Sequence, residues 1–316
     1  MGPVEATVAQ IRVPAVDGYS LAATVVQPQR GARDWVIVGS AMAVAARFYA
    51  RYATALAAAG FGAVTFDYRG IGGSRPASLR GFPATMTDWA VLDMAGVTTW
   101  VQATQTPRRL FLVGHSLGGI LPGLMDCGDL VDAMVTVASE NVYWRYRHGR
   151  TKAVALGRVW ATPPFVAVLG YLPWSWFSRA EDLPAGAVRQ MAAAMRAPGG
   201  FLDDPTLPTS RYANFRAPVL AYSVDDDPEA TSKSVDSMMA AYPNVERRHL
   251  TPADAGLDQI GHFGYFKSSA QPLWAEAITW LQKQPQRTTP EHRRLSNPRD
   301  TKGRQEIQPD GPPRSV

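Results

Sequence analysis

A serine held between glycines, directly after an apolar run, is the feature that most constrains this chain. Residues 110–113 (LFLV) have the composition of a strand buried on both faces of a sheet, and residues 114–119 (GHSLGG) follow at once. A helix is predicted to begin at this turn. A tight strand-to-helix turn leaves no room for side chains at its flanking positions, and it lifts the serine hydroxyl clear at the carboxyl edge of the sheet. The pattern therefore predicts a parallel sheet with a nucleophile, Ser116, at its edge.

Short apolar runs alternate with helix-like stretches along the chain. This alternation predicts an α/β fold, a mainly parallel sheet with helices on both faces. Strands are predicted at residues 10–14, 21–28, 35–39, 62–66, 110–113, 133–138, 218–223 and 247–250. Helices are predicted at residues 47–59, 85–104 and 271–281, in addition to the one that begins near Ser116.

The region between the strands at 133–138 and 218–223 lacks any strand pattern. This gap of about 75 residues is too long for a plain loop in a compact domain. It contains helix-like pieces at 150–160 and 184–195 and is rich in aromatic residues. We therefore predict an α/β core made of residues 1–139 and 216–283, with residues 140–215 inserted as a helical cap. Residues 284–316 are polar, proline-rich and without periodicity, which predicts a disordered tail.

A serine hydroxyl needs a general base and an acid that orients the base. Behind a turn of this kind the chain order is serine, acid, histidine. Asp227 follows the strand at 218–223 and immediately precedes a proline, so it is the first choice for the acid, with Asp226 as the alternative. His262 lies in a glycine-flanked loop before the last helix, which is the position expected for the base.

An anion formed on a substrate carbonyl would need two backbone amides. The amide of Leu117, at the beginning of the helix after Ser116, is one predicted donor. The other should come from the loop after the strand at 35–39, where Ala41 and Met42 are the two candidates. Both would act through the backbone, so their side chains do not decide between them.

These motifs resemble those of the α/β-hydrolase fold superfamily, in which DYRGxGxS (here 67–74) accompanies GHSxGG (114–119). The chain is more closely similar to a bacterial group of predicted α/β hydrolases through residues 47–49, 66–76, 143–144, 248–254 and 260–266. The resemblance covers residues 8–282. It implies Ser116, Asp227 and His262 as the catalytic triad, a helical cap over the site, and an esterase, lipase or serine aminopeptidase-like activity. Gly39, Ser40 and Ala41 stand where many hydrolases have His-Gly, a departure that concerns only the oxyanion loop.

The distribution of charge and the spacing of possible metal ligands argue against nucleic acid and metal ions as partners. The formal net charge is +5, but residues 283–316 hold eight basic and four acidic residues, so the rest of the chain is nearly neutral and has little attraction for nucleic acid. Residues 67–74 lack the spacing of a phosphate-binding loop. No histidine lies at ligand spacing from another metal-binding residue. Neither a metal nor a cofactor is expected.

A single cysteine, Cys127, cannot form an intramolecular disulfide, and the N-terminus lacks a secretory pattern, so a cytoplasmic protein is expected. Residues 159–178 contain no charged residue and are about long enough to span a bilayer. Pro163, Pro164 and Pro173 are expected to break a helix there, which favours a greasy lid or an interfacial surface over a transmembrane span.

The leading hypothesis is a serine hydrolase that cleaves a carboxylic ester through an acyl-enzyme, with an apolar, short-to-medium acyl or alcohol group that matches the aromatic cap. A thioesterase, an acyltransferase or an aminopeptidase/amidase would use the same triad. Acidic pairs at 181–182 and 203–204 would favour an aminopeptidase if they bound a substrate N-terminus. A non-catalytic ligand-binding relative is the remaining alternative. The natural substrate and the oligomeric state stay open.

Overall fold

The computed structural model of the chain describes residues 6–286. Its eight-stranded sheet has the order β1-β2-β4-β3-β5-β6-β9-β10, and a separate two-stranded ribbon pairs β7 with β8. The six strands from β4 to β10 in this order are parallel, while β2 is antiparallel to both of its neighbours. The mainly parallel sheet predicted from the sequence is confirmed. The strands are β1 Ala6–Pro14, β2 Ser20–Pro28, β3 Asp34–Gly39, β4 Gly62–Phe66, β5 Arg109–His115, β6 Ala133–Val137, β7 Tyr171–Leu172, β8 Leu183–Pro184, β9 Val219–Val224 and β10 Val245–Leu250.

Helices occur at each place where the sequence predicts them, but the helix Ser232–Met239 was not predicted. The predicted helix at 85–104 consists of two α-helical pieces joined by a π-helical segment, Trp89–Met94. The predicted helix at 47–59 begins with a 3-10 turn, Ala46–Tyr49. The α-helices are α1 Ala50–Ala58, α2 Met86–Asp88, α3 Ala95–Gln105, α4 Leu117–Ile120, α5 Gly149–Leu169, α6 Ala185–Arg196, α7 Ser232–Met239, α8 Gly261–Gly264 and α9 Gln271–Lys283.

The central strands are buried on both faces. Every residue of β3, β4, β6 and β9 is buried, which requires helices on both sides of the sheet. Because β5, β6 and β9 are neighbouring parallel strands, the loops that follow them meet at one edge of the sheet. This edge receives the residues after His115, after Val137 and after Val224.

Residues 140–215 contain α5, α6 and several 3-10 turns, together with the β7–β8 ribbon. The sequence pattern gave no sign of these strands because each has only two residues. The expected break of the helix at Pro163 and Pro164 was wrong, since α5 continues to Leu169 and ends at Gly170, before Pro173. Pro163 cannot donate to the carbonyl of Val159 one turn earlier, and the Arg196 guanidinium of α6 donates to that carbonyl instead, at 3.4 Å.

In the part of the chain that the structure describes, no helix combines the length and apolar character needed to cross a bilayer. The predicted disordered tail, residues 284–316, lies outside the described residues from 287 onward.

Candidate active site

Ser116 occupies a strained turn between β5 and α4. Its backbone angles, φ 51° and ψ −117°, fall in a region that residues other than glycine rarely adopt. The turn is held from outside, because the Ser116 amide donates to the carbonyl of Val137 at the end of β6, at 2.8 Å. The strain is therefore maintained by the neighbouring strand, and the serine side chain is half-buried at the sheet edge.

Each glycine around Ser116 is required by close packing. A Cβ on Gly118 would lie 2.2 Å from the Gly39 carbonyl oxygen, and one on Gly114 would lie 2.4 Å from the Gly118 carbonyl oxygen. A Cβ on Gly119 would lie 2.2 Å from the Ser139 hydroxyl. The turn thus packs against the ends of β3 and β6 with no space for a methyl group. This packing explains why the sequence motif has glycine at these positions.

His262 and Asp227 form a buried pair. The imidazole Nδ1 lies 2.8 Å from Asp227 Oδ2, and the other carboxylate oxygen accepts the amides of Glu229 and Ala230 at 2.8 and 2.9 Å. Burial alone would raise the pKa of Asp227, but His262 and these two amides hold it below its ordinary value. Burial opposes a charge on His262 too, yet the Asp227 carboxylate raises its pKa above the ordinary value, with smaller contributions from two glutamates, Glu140 and Glu229.

Asp226, the alternative acid, contacts the same loop in a different way. Its two carboxylate oxygens accept the backbone amides of Ile260 and Gly261, at 2.9 and 2.8 Å. The structure therefore brings Asp227 to the imidazole and uses Asp226 to hold the backbone just before His262.

Ser116 and His262 line one cavity of about 1030 Å³. Leu117, Ala41 and Met42 line it too, so the cavity contains all the candidate catalytic and oxyanion residues except the two acids, Asp227 and Asp226. Most of its other wall residues are apolar. Many of these come from α5, α6 and the segment around β7, including Phe165, Leu172, Trp174, Phe177, Val188 and Met195. The cavity is large enough for a substrate of drug-like size.

The two candidate amides of the oxyanion loop differ. The amide of Ala41 donates to the Tyr49 hydroxyl at 2.9 Å and is therefore occupied. Among residues 6–286, the amide of Met42 has no hydrogen-bond partner. Met42 therefore has the donor that is free to turn to a ligand.

The Tyr49 hydroxyl continues a chain of hydrogen bonds toward the imidazole loop. Its oxygen accepts from Ala41, and it donates its proton to His115 Nδ1, at 2.8 Å, because the other ring nitrogen must carry the proton that the His262 carbonyl accepts. The proton on the other nitrogen of His115 is then donated to the backbone carbonyl of His262, at 2.8 Å. Burial lowers the pKa of His115 to about 3, so the ring is neutral, as this chain requires. Nothing in the sequence indicates the contact, since Tyr49 precedes His115 by 66 residues.

Four charged residues in the cavity wall form three ion pairs that the sequence analysis missed, and Arg147, which lies 3.8 Å from Glu229, joins them into one chain. Arg147 donates to Glu140 at 2.7 Å, and Arg158 donates to Glu229 at 3.0 Å. Burial raises the pKa of Glu140 to about 8, against the neighbouring Arg147 guanidinium. Glu140 follows β6 at the same sheet edge as Ser116 and Asp227, a position that could have identified it.

The acidic pairs considered as a site for a substrate amine are engaged elsewhere. Glu181 lines the cavity but pairs with Arg47 at 2.7 Å, and Asp182 pairs with Arg75 at 2.9 Å. Asp203 and Asp204 accept backbone amides of their own turns, at 2.6 and 2.9 Å. These carboxylates therefore form no unpaired acidic patch.

The motif at 67–74 has a structural role. The Asp67 carboxylate accepts the amides of Ala46 and Gly73, at 2.7 and 2.8 Å, and so joins the loops after β3 and β4. Within the described residues, no three acidic, histidine or cysteine side chains are grouped so that they could hold a metal ion.

Comparison with known proteins gives a match to one family model over part of the chain. A family model described as serine aminopeptidase, S33, matches residues 30–140, about a third of the chain, including the turn at Ser116. No curated protein sequence matches the chain. The class of enzyme expected from the sequence, a serine hydrolase, is the class that the matching model describes.

Several solved structures are similar over nearly the whole described chain. An esterase of Pyrococcus furiosus is 15% identical, covering 88% of this chain and 91% of its own, with a TM-score of 0.57. An esterase of Exiguobacterium antarcticum is 15% identical over 87% and 100%, with a TM-score of 0.57. The protein Rv0554 of Mycobacterium tuberculosis is 19% identical over 88% and 100%, with a TM-score of 0.57. At such identities the likeness concerns the fold.

Proposed function

We propose that this chain, which has the α/β-hydrolase fold, cleaves carboxylic esters through an acyl-enzyme formed on Ser116. The observation that carries the proposal is the presence of Ser116 and His262 in the wall of one largely apolar cavity, with the buried Asp227 in contact with His262 Nδ1 at 2.8 Å. The strained turn at Ser116 supports the assignment, because such strain persists where the surrounding structure maintains a functional position.

In the proposed mechanism, Ser116 Oγ attacks the ester carbonyl while His262 Nε2 takes its proton. The amides of Leu117 and Met42 stabilise the oxyanion. His262 then gives the proton to the departing alcohol, leaving the acyl group on Ser116. Water attacks the acyl-enzyme with His262 as base, and the acid is released with Ser116 restored. Asp227 keeps the Nδ1 proton in place and stabilises the imidazolium during both steps.

We further propose that residues 140–215 act as the cap that selects the substrate. Side chains of α5, α6 and the residues around β7 supply much of the apolar wall, which favours a substrate with an apolar, short-to-medium acyl or alcohol group. An aminopeptidase would need an unpaired acid for the substrate ammonium, and the acids near the cavity are already paired with arginines. This pairing favours the ester over the peptide.

Ser116→Ala provides the direct test. The wild-type protein should react stoichiometrically with a fluorophosphonate probe and hydrolyse p-nitrophenyl esters, and Ser116→Ala should lower kcat/KM by about 10⁵-fold or more. Ser139→Ala is the matched control, since Ser139 is buried after β6 and its hydroxyl has no partner among the described residues. Failure of the folded wild-type protein to react with the probe would overturn the proposal. Acyl-CoAs and aminoacyl-anilides, run beside the esters from acetyl to palmitoyl, distinguish the thioesterase and aminopeptidase alternatives.

The pH dependence of kcat/KM gives a second test. His262 must be neutral to accept the serine proton, and Asp227 raises its pKa above the ordinary histidine value of 6.5. Activity should therefore decline as the pH falls, with a midpoint above 6.5. A profile that stays flat down to pH 5 would contradict the assignment of His262 as the base.

A further inference from the structure

Exposed apolar side chains are concentrated in the inserted segment. Among the described residues, nine large apolar side chains are exposed, and six of these lie between residues 154 and 177: Val154, Trp160, Phe165, Val168, Trp176 and Phe177. The exposed fractions of Trp160, Val168, Trp176 and Phe177 lie between 64% and 77%. Solvent-facing tryptophan and phenylalanine at this density are unusual for a surface that contacts only water.

The stretch that holds most of these side chains is uncharged. No Asp, Glu, Lys or Arg occurs from Val159 to Ser178. On α5, Trp160 and Val168 are spaced by two turns, at i and i+8, so they lie along one side of the helix. We call the five exposed side chains of this stretch the rim face: Trp160, Phe165, Val168, Trp176 and Phe177.

The rim face is continuous with the cavity. Phe165 and Phe177 belong to the rim face and also line the cavity that holds Ser116. Phe263, which is exposed and follows His262, lines the cavity too. An apolar molecule in contact with the rim face would therefore meet Phe165 and Phe177 in the cavity wall.

The inserted segment also carries the positive charge of the described chain. Residues 140–215 contain nine basic and five acidic residues, whereas residues 6–139 and 216–286 together contain sixteen basic and seventeen acidic residues. Arg179 and Lys267 are exposed, line the cavity and have no ion-pair partner among the described residues. A net positive segment with an aromatic, uncharged face complements an anionic lipid surface, where tryptophan rings sit at the headgroup level and basic side chains meet the phosphates.

We propose that the rim face docks this protein on an anionic lipid–water interface, with the cavity mouth turned toward the lipid. Docking does not depend on catalysis, but its consequence rests on the proposed function: the ester would be an apolar molecule that partitions into the lipid and enters between Phe165 and Phe177. The protein would then lie on the lipid surface without a spanning helix. This agrees with the described residues, in which no helix is long and apolar enough to cross a membrane.

Vesicle flotation tests the docking. The Ser116→Ala protein should float with vesicles of phosphatidylcholine containing 30% phosphatidylglycerol, less with pure phosphatidylcholine vesicles, and less again as salt screens the charges. In the same background, Trp160→Ser/Val168→Ser/Trp176→Ser should lower the bound fraction about tenfold, because it removes apolar area from the interface. None of these three residues lines the cavity, so hydrolysis of soluble esters by the same triple variant with Ser116 restored should be unchanged.

Val8→Ser/Val16→Ser is the control. These valines are similarly exposed but lie outside the inserted segment, so their replacement should not affect flotation. If the triple variant unfolds at a lower temperature than its parent, the single change Trp176→Ser, in a short 3-10 turn, tests the same loss of vesicle binding with a smaller expected decrease. Equal flotation of the triple variant and its parent, or a parent that binds no vesicle and instead self-associates through this face, would overturn the proposal. Because flotation uses Ser116→Ala, a failure of docking is distinct from a failure of the esterase assignment, which the soluble esters report.

Discussion

The turn around Ser116 and the inserted helix α5 differ in how tightly they are packed. At the turn, a Cβ on Gly114, Gly118 or Gly119 would come within 2.4 Å of another atom. In α5, a Cβ on Gly157 would meet nothing within 4 Å, and only three of the helix's 21 residues are buried. One region admits no added atom, whereas the other is mostly surface.

Under the proposed function, this contrast separates the residues that carry out the reaction from those that select the substrate. The reacting groups are fixed by backbone packing between neighbouring strands, so their geometry survives only if that packing does. The helix that lines the cavity makes few core contacts, so its surface can vary in sequence with little cost to the fold. We expect substitutions to follow the same division, with losses of activity or stability at the sheet edge and small effects on α5.

After Ser116 itself, the largest effect is expected at Asp227. Asp227→Asn would present an amide group to His262 Nδ1 and favour the wrong tautomer, and we expect kcat/KM to fall about 10⁴-fold. Asp226→Asn is the matched control, because Asp226 accepts only backbone amides, and it should cost about tenfold at most. Ester hydrolysis at pH 8 measures both. Comparable losses in the two variants would mean that the sheet edge, and not one carboxylate, sets the activity.

The next effect concerns stability. Gly118→Ala would place a methyl group 2.2 Å from the Gly39 carbonyl oxygen, and neither backbone segment can move without disturbing a central strand. We expect the free energy of unfolding to fall by about 3 kcal/mol or more, at the upper end for overpacked sites. Chemical denaturation followed by tryptophan fluorescence measures it. A loss below 1 kcal/mol would show that the turn is more compliant than its packing indicates.

The same contrast explains what the sequence could predict. The turn at Ser116 was predictable because glycine packing, a buried strand and a following helix leave a local pattern. The chain order serine, acid, histidine indicated His262 and left Asp227 and Asp226 as the two acids. The Tyr49 contact with His115 joins segments 66 residues apart, which no local pattern records, whereas Glu140 could have been identified from its position after β6. The continuity of α5 through Pro163 depends on Arg196 from another helix, and so it too was beyond a helix rule applied along the chain.

A smaller loss of activity is expected when Tyr49 is changed. Tyr49→Phe removes the acceptor of the Ala41 amide and the donor to His115, and so disconnects the oxyanion loop from the His262 loop. Leaving these buried groups unpaired should lower kcat about tenfold with KM nearly unchanged. Tyr52→Phe, one turn along and equally buried, is the control, because the Tyr52 hydroxyl bonds neither the Ala41 amide nor His115. Equal kcat values for the two variants would show that the hydrogen-bond chain does not position the reacting groups.

The smallest effect belongs to α5 and has the opposite sign. Gly157 lies in the helix interior with open space around its Cα, so Gly157→Ala should stabilise the helix by about 0.5–1 kcal/mol, since alanine loses less conformational entropy on folding. Gly149, at the start of the same helix, has equal space but a φ of +52°, which alanine adopts only with strain, so Gly149→Ala should destabilise it by about 1 kcal/mol. Thermal unfolding should shift by about 1–3 °C in opposite directions, while kcat for soluble esters stays constant in both. If either variant changed kcat, the division between a fixed reaction centre and a variable cap would fail, because α5 would then be transmitting its stability to the residues around Ser116.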